Sequence, residues 1–310
     1  MWKLGHNNWI KYGWGEKFAK SQNRDILHVD FRDYTPPIEK ISTIDAALLT
    51  IDTITKTYPA PYTLMCSGGE DSQAMLWAWK LSGVSFNVVS IRYVSGNIFF
   101  NEHDLVTLYQ FAEKNNINVQ YYDFDIINFL ENDLHDLATK FECGSPQIST
   151  YIKMTEFVEN GTILFSGNFI ENTTRPDRSG VFNWILLSMH RYSLFLKETN
   201  SVRQIIPFFF IHRPELAYGF QPYEDTRQVK RTKYDLFVKN GFQIMPVEKQ
   251  TGFEKVKEHY DQYSDRVSIS DRLKYINMPS KRVMDLLFRY PYGINSNVGT
   301  MFNYYITTQK

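Results

Sequence analysis

The chain has 310 residues, enough for one large α/β domain with appendages, and carries 34 basic against 34 acidic residues. That balance excludes a global basic footprint for nucleic acid, and two cysteines, Cys66 and Cys143, exclude a disulfide framework. The longest apolar run, 205–211, is far too short to cross a bilayer, and the first residues lack the apolar stretch of a secretion signal, so a cytoplasmic location is expected.

Residues 1–42 are aromatic and polar, broken by Pro36 and Pro37, and read as an N-terminal extension with one strand over 25–31. Thr43 and Asp45 then open a helix carrying Ala46, Leu48, Leu49, Ile51 and Ile54, which Pro59 and Pro61 end. Residues 62–66 read as a buried strand, and the apolar run 74–81 as a helix buried on most faces. A second strand is expected over 86–93, an amphipathic helix over 102–114 and a third strand over 117–124. Helices over 126–141 and 148–159 precede a strand at 162–166, and a helix over 180–198 precedes a strand at 204–208. Apolar strands alternating with helices indicate a parallel sheet covered on both faces, and right-handed crossovers make it doubly wound. The domain is expected over 43–225, with 226–310 as a C-terminal helical and aromatic extension and a candidate substrate region.

Between the first core strand and its helix lies Ser67-Gly68-Gly69-Glu70-Asp71-Ser72. The glycines let main-chain N–H groups turn inward, and the helix start adds about half a positive charge, which together suit an anion. Ser67 and Ser72 add hydroxyls, and Asp71 is suited to holding Mg²⁺ or ordering the loop. A plain glycine turn would need the glycines but not the flanking Ser, Asp and Ser. No Gly-Lys-Ser/Thr follows a four-residue gap, so this is not a Walker A loop. Glu70 is expected to point outward along the first turn, where the helix dipole favours it.

The pattern Ser-Gly-Gly-x-Asp-Ser resembles the pyrophosphate loop of the N-type ATP pyrophosphatases, the PP-loop ATPases, and the element order over 43–225 is similar to their adenine nucleotide α-hydrolase-like (HUP) fold with five parallel strands. The resemblance implies ATP and Mg²⁺ as cofactors and cleavage of ATP between its α and β phosphates. AMP would pass to a substrate oxygen, and an amine or other nucleophile would then displace it. Ser67, Gly68, Gly69 and Ser72 would hold the pyrophosphate, with Asp71 steering the metal. Main-chain groups at Ser90 and Ile91, ending the second strand, would hold the adenine; Arg92 would reach the nucleotide or pair with an acidic neighbour. Gly167 and Asn168, ending the fourth strand, would face the α-phosphate. The double acid usual after them is absent, which leaves Glu171, Arg175 and Asp177 as substitutes, with Asp177 the candidate second metal ligand. Arg213 stands where the family has a lysine before Glu215, and a guanidinium there would bind pyrophosphate bidentately beside Gly68. Arg227, Lys230, Arg231 and Lys233 form a basic cluster that folds over pyrophosphate or an anionic substrate, or else is a solvated helix face.

Sulfur-transferring relatives use a nucleophilic Cys or a Cys-x-x-Cys pair. Only the lone Cys143 lies in a loop that could serve, while Cys66 reads as packing; histidine and cysteine spacings give no zinc site. With no cysteine directly after Met1, no fused glutaminase is expected, so ammonia or an amine would come from elsewhere. Three readings follow: an AMP-forming ligase, a sulfur-transferring or PAPS-reductase-like enzyme using Cys143, and a nucleotide-binding module without turnover. The adenylated partner would be a small molecule or a nucleic acid; the aromatic stretch 288–297 would stack a base or cap the sheet. Abundant Asn, Tyr and Phe give a phage-like composition, for which the compartment is the host cytoplasm.

Overall fold

A computed structural model describes residues 3–4, 11–14, 27–30, 41–141, 143, 146–167, 192–220, 233–247 and 252–261. The N-terminal extension forms a three-stranded antiparallel sheet of β1 (Lys3–Leu4), β2 (Lys11–Trp14) and β3 (Leu27–Asp30), in that order. Only β3 was expected from the sequence.

The main body begins with α1 (Thr43–Thr57). Ser42 caps it, accepting from the Asp45 N–H at 3.1 Å, one position earlier than the expected cap. β4 (Tyr62–Met65) follows and is buried at every position, because strands pair with it on both edges. α2 (Glu70–Ser82) leads to β5 (Asn87–Ser95), which Gly96 turns into β6 (Ile98–Phe99). α3 (Glu102–Asn115) ends on Asn116 in the left-handed region, where the Ile117 N–H bonds back to Ala112. That cap delays β7 (Gln120–Asp125), three residues later than its apolar pattern suggests.

The helix expected over 126–141 is divided into α4 (Ile126–Asn128), a π turn (Phe129–Asp133) and α5 (Leu134–Lys140). α6 (Pro146–Met154), β8 (Thr162–Phe165), α7 (Tyr192–Thr199) and β9 (Gln204–Ile206) come next. Residues 180–191 of the helix expected before β9 lie outside the described residues. Pro207 has no N–H, so the β9 ladder stops before it; bonding resumes where the Phe209 N–H reaches Phe165. α8 (Pro214–Gly219), α9 (Lys233–Lys239) and α10 (Gly252–Asp261) complete the described chain.

The result is an α/β fold with a six-stranded mixed sheet and flanking helices. Its order is β6-β5-β4-β8-β9, with β7 on the other edge of β5; all pairs are parallel except β5 with β6. Val94 pairs with Phe99 on one side and Asp125 on the other. β6 therefore sits on the β4 side of β5, beyond the end of β4.

Side chains alternate across each strand, so the sheet has a core on each face. Tyr62, Leu64 and Cys66 face one cluster, with α1, α2 and α3, while Met65, Val89 and Ile91 face the other, with α4 to α7. Described residues beyond 225 also pack into these cores. Phe237 and Phe242 pack with Phe210 and Phe220 at ring separations of 5.3–6.2 Å, and Val256 of α10 is buried in the second cluster.

Candidate functional site

The glycine loop sits where the central strand ends. The last ladder bond runs from the Cys66 N–H to Val89, after which Ser67 is exposed and the backbone reverses at Gly68, with φ +87°. A side chain at Gly68 would put Cβ 2.3 Å from the Asp104 carbonyl oxygen. The loop is thus pressed against the first turn of α3, and only glycine allows it. Gly69 is the N-cap of α2 and supplies no capping side chain, which leaves the first-turn amides of Glu70, Asp71 and Ser72 without a side-chain cap.

Two side chains brace this loop from inside. Ser72 is buried and donates its hydroxyl to the Gly69 carbonyl at 2.8 Å. Gln73, fully buried, donates to the Gly68 carbonyl and accepts from the Met245 N–H, both at 2.8 Å. The sequence reading missed Gln73; its signal was a polar residue heading a helix expected to be apolar all round.

Asp71 stands in the first turn of α2, mostly buried. Its Oδ2 lies 2.5 Å from Nζ of Lys233, also mostly buried, while its Oδ1 is inaccessible and has no hydrogen-bond partner among the described residues. Of the basic cluster anticipated at 227–233, Lys233 reaches the loop; Arg227, Lys230 and Arg231 lie outside the described residues. Among the described residues no group of three or more His, Cys, Asp or Glu gathers for a metal. The orphaned Oδ1 nevertheless fits Mg²⁺, which takes one or two carboxylates and fills its remaining positions with water and phosphate oxygens.

Ser90 donates its hydroxyl to the Cys66 carbonyl at 2.7 Å, and its main chain pairs in register with Tyr121. The Ile91 carbonyl accepts from the Asn101 side-chain amide at 2.8 Å, and the oxygen of that amide accepts from the Tyr93 N–H at 2.7 Å. Of the main-chain groups at Ser90 and Ile91 expected to hold the adenine, the Ile91 carbonyl thus already has one donor from within the chain. Arg92 takes the simpler of its two expected roles, pairing with its register neighbour Asp123 on the exposed sheet edge.

Gly167 lies two residues beyond β8 with φ +65°, where a Cβ would lie 2.9 Å from the Phe208 ring. Asn168, Glu171, Arg175 and Asp177 lie outside the described residues. Arg213 does not join the loop. Its guanidinium grips Glu215 with two bonds of 3.0 Å and donates to Thr53 at 3.1 Å. Thr53 is one turn from the end of α1 that feeds the start of β4, and neighbouring His212 packs against Tyr58 at that end. Arg213 consequently lies toward the edge of the sheet opposite the loop, because the chain doubles back after Phe210.

Cys143 lies between α5 and α6, as its loop reading expected, but its side chain is buried in the core of the second face. Cys66 is buried as expected, and burial pushes its thiol far above the usual range. An open cavity of about 490 Å³ lies at the starts of β5 and β7, lined by Lys80, Phe86, Asn87, Asn115 and Asn118, at the edge away from the loop.

No known protein family matches the chain, and no curated protein matches its sequence.

Proposed function

We propose that the chain is an AMP-forming ATP pyrophosphatase of the PP-loop type, with the loop 67–72 as its pyrophosphate site. The observation that carries the reading is the setting of this loop: a positive-φ glycine at the end of the central strand, followed by an uncapped helix start. The parallel pairs run β7-β5-β4-β8-β9, third-second-first-fourth-fifth in chain order, which supports a doubly wound adenine nucleotide α-hydrolase-like sheet. In such a sheet ligands bind beyond the carboxyl ends of the strands, where this loop lies.

In this reading the amides of residues 69–72 bind the β and γ phosphates, and Gln73 and Ser72 hold the loop shape. Asp71 offers its orphaned Oδ1 to Mg²⁺, which when bound would screen phosphate charge. A substrate oxygen attacks the α-phosphorus, the bond to the bridging oxygen breaks, and pyrophosphate departs into the loop. An amine from a separate donor then displaces AMP. Positioning and charge stabilisation supply the catalysis. The main-chain groups at Ser90 and Ile91 are the candidate contacts for the base, with Asn101 already donating to the Ile91 carbonyl.

Two observations favour a second reading, a nucleotide-binding module without turnover. Arg213 is committed to Glu215, and Asn101 holds the strand edge. Sulfur transfer through Cys143 has less support, since that thiol would first have to leave the core.

The test is chromatography of nucleotide products after incubation with ATP and Mg²⁺, screened against nucleotides, amino acids and tRNA. AMP with pyrophosphate is the expected outcome, abolished by Gly68→Ala. ADP as the main product refutes the assignment, and tight ATP binding with no product under any condition selects the second reading.

A further inference from the structure

The pair formed by Asp71 and Lys233 is oddly placed for a purely structural contact. Lys233 opens the described part of α9, and both it and Asp71 are mostly buried. Mostly buried ion pairs are weak stabilisers, because desolvation offsets their attraction. Here the pair is also incomplete, since Oδ1 of Asp71 is buried without a partner while Oδ2 meets the ammonium. The backbone that carries Lys233 is well anchored: Phe237 is fully buried, Asn240 accepts from Thr43, and Met245 bonds to Gln73 two residues after Asp71. What can move is the ammonium on its four-carbon stem.

We propose that Asp71 and Lys233 form a charge exchange that makes anion binding at the loop conditional on a divalent cation. The inference rests on the pyrophosphate-loop reading and names the regulation of that same site. In the empty site Asp71 and Lys233 neutralise one another, so the ammonium is withheld from any arriving phosphate. A divalent cation bound at Asp71 neutralises the carboxylate and frees the ammonium, which swings to the phosphate oxygens. The cation thus contributes twice, through its own charge and through the lysine it releases. Phosphate without metal is rejected, which keeps the loop from filling with free anions.

Isothermal titration with inorganic pyrophosphate tests this on the full chain, in Mg²⁺ and in EDTA. Wild type is expected to bind in Mg²⁺ and at least tenfold more weakly in EDTA. Asp71→Asn removes the carboxylate that occupies Lys233, so in EDTA it is expected to bind at least tenfold more tightly than wild type and to lose its Mg²⁺ dependence. Lys233→Met should weaken binding in Mg²⁺ at least tenfold. A measurement on wild type alone avoids dependence on variant folding: acetylation of Lys233, followed by peptide mapping, should accelerate several-fold on adding Mg²⁺ and slow again with pyrophosphate. If wild type binds in Mg²⁺ but Asp71→Asn gains nothing in EDTA, or Lys233 acetylation ignores Mg²⁺, the exchange is refuted and the loop reading stands. If wild type binds no pyrophosphate with or without Mg²⁺, the loop reading falls and takes the exchange with it.

Discussion

Replacing Gln73 by leucine would cut the loop from the segment that buttresses it. The side chain is fully buried and spans two backbone groups, the Gly68 carbonyl and the Met245 N–H, each at 2.8 Å. Leucine has a similar volume, so the cavity contribution is small and the loss is polar. Gly68 is buried, so its stranded carbonyl bears the full desolvation penalty, whereas Met245 is partly exposed and water can reach its amide. Together the two losses should cost about 2–4 kcal/mol. In a body of this size that lowers the melting temperature by roughly 5–15 °C. Gln73→Glu is the sharper companion: it keeps an acceptor for Met245 but loses the donor to Gly68 and buries a charge, so it should cost more. Urea unfolding followed by tryptophan fluorescence gives both values, with an unchanged m-value as the check that the same surface unfolds. A loss below about 1 kcal/mol for Gln73→Leu would mean that Gln73 does not brace the loop, since even one stranded buried carbonyl exceeds that.

The two loop glycines should respond differently to alanine. Gly68→Ala meets the Asp104 carbonyl oxygen at 2.3 Å and a positive φ, and should cost at least about 2 kcal/mol or prevent folding, whereas Gly69→Ala has only Ser67 Oγ at 3.6 Å nearby and should cost at most about 1 kcal/mol in a thermal melt. Arg213→Ala strips the bidentate partner from buried Glu215 and should lower stability by about 3–5 kcal/mol in urea while leaving pyrophosphate affinity within about twofold; a selective loss of affinity would return Arg213 to the site. Burial pushes the Glu198 carboxyl up to about 8 from 4.5. The folded state therefore keeps a proton that the unfolded chain loses, and stability should fall as pH rises between about 4.5 and 8, by at most about 3–5 kcal/mol. Glu198→Gln should raise the melting temperature at pH 8 relative to pH 5, and an equal shift at both values would refute the burial argument.

What the sequence determined by itself was local. Two glycines between a short apolar run and a helix former specify a sharp turn into a helix start, because backbone dihedrals answer to immediate neighbours, and Gly68 and Gly69 do adopt that turn. The strands at 62–66 and 162–166 were legible for the same reason: continuous apolar runs must be buried on both faces. The ends of α1 were legible to within a residue, from the capping residues near its start and the prolines at 59 and 61. The π turn at 129–133 was not legible, since one extra residue per turn leaves the apolar pattern nearly unchanged.

The partners at the site were decided by layering. Lys233 meets Asp71 across 162 residues, Met245 meets Gln73 across 172, and Arg213 meets Thr53 across 160. Motif order put Arg213 beside the loop, but the reversal after Phe210 carries it to the other edge. Asn101 was unreadable as a strand-edge cap because that role exists only once β6 folds over the end of β4. That Cys143 lies in a loop was legible, but its burial was not, because the core that encloses it forms only when α5 and α6 pack on the second face. Side chains far apart in the chain meet only after helices have chosen faces of the sheet, and that choice depends on the total apolar surface each face must cover, a quantity that no short stretch of sequence contains.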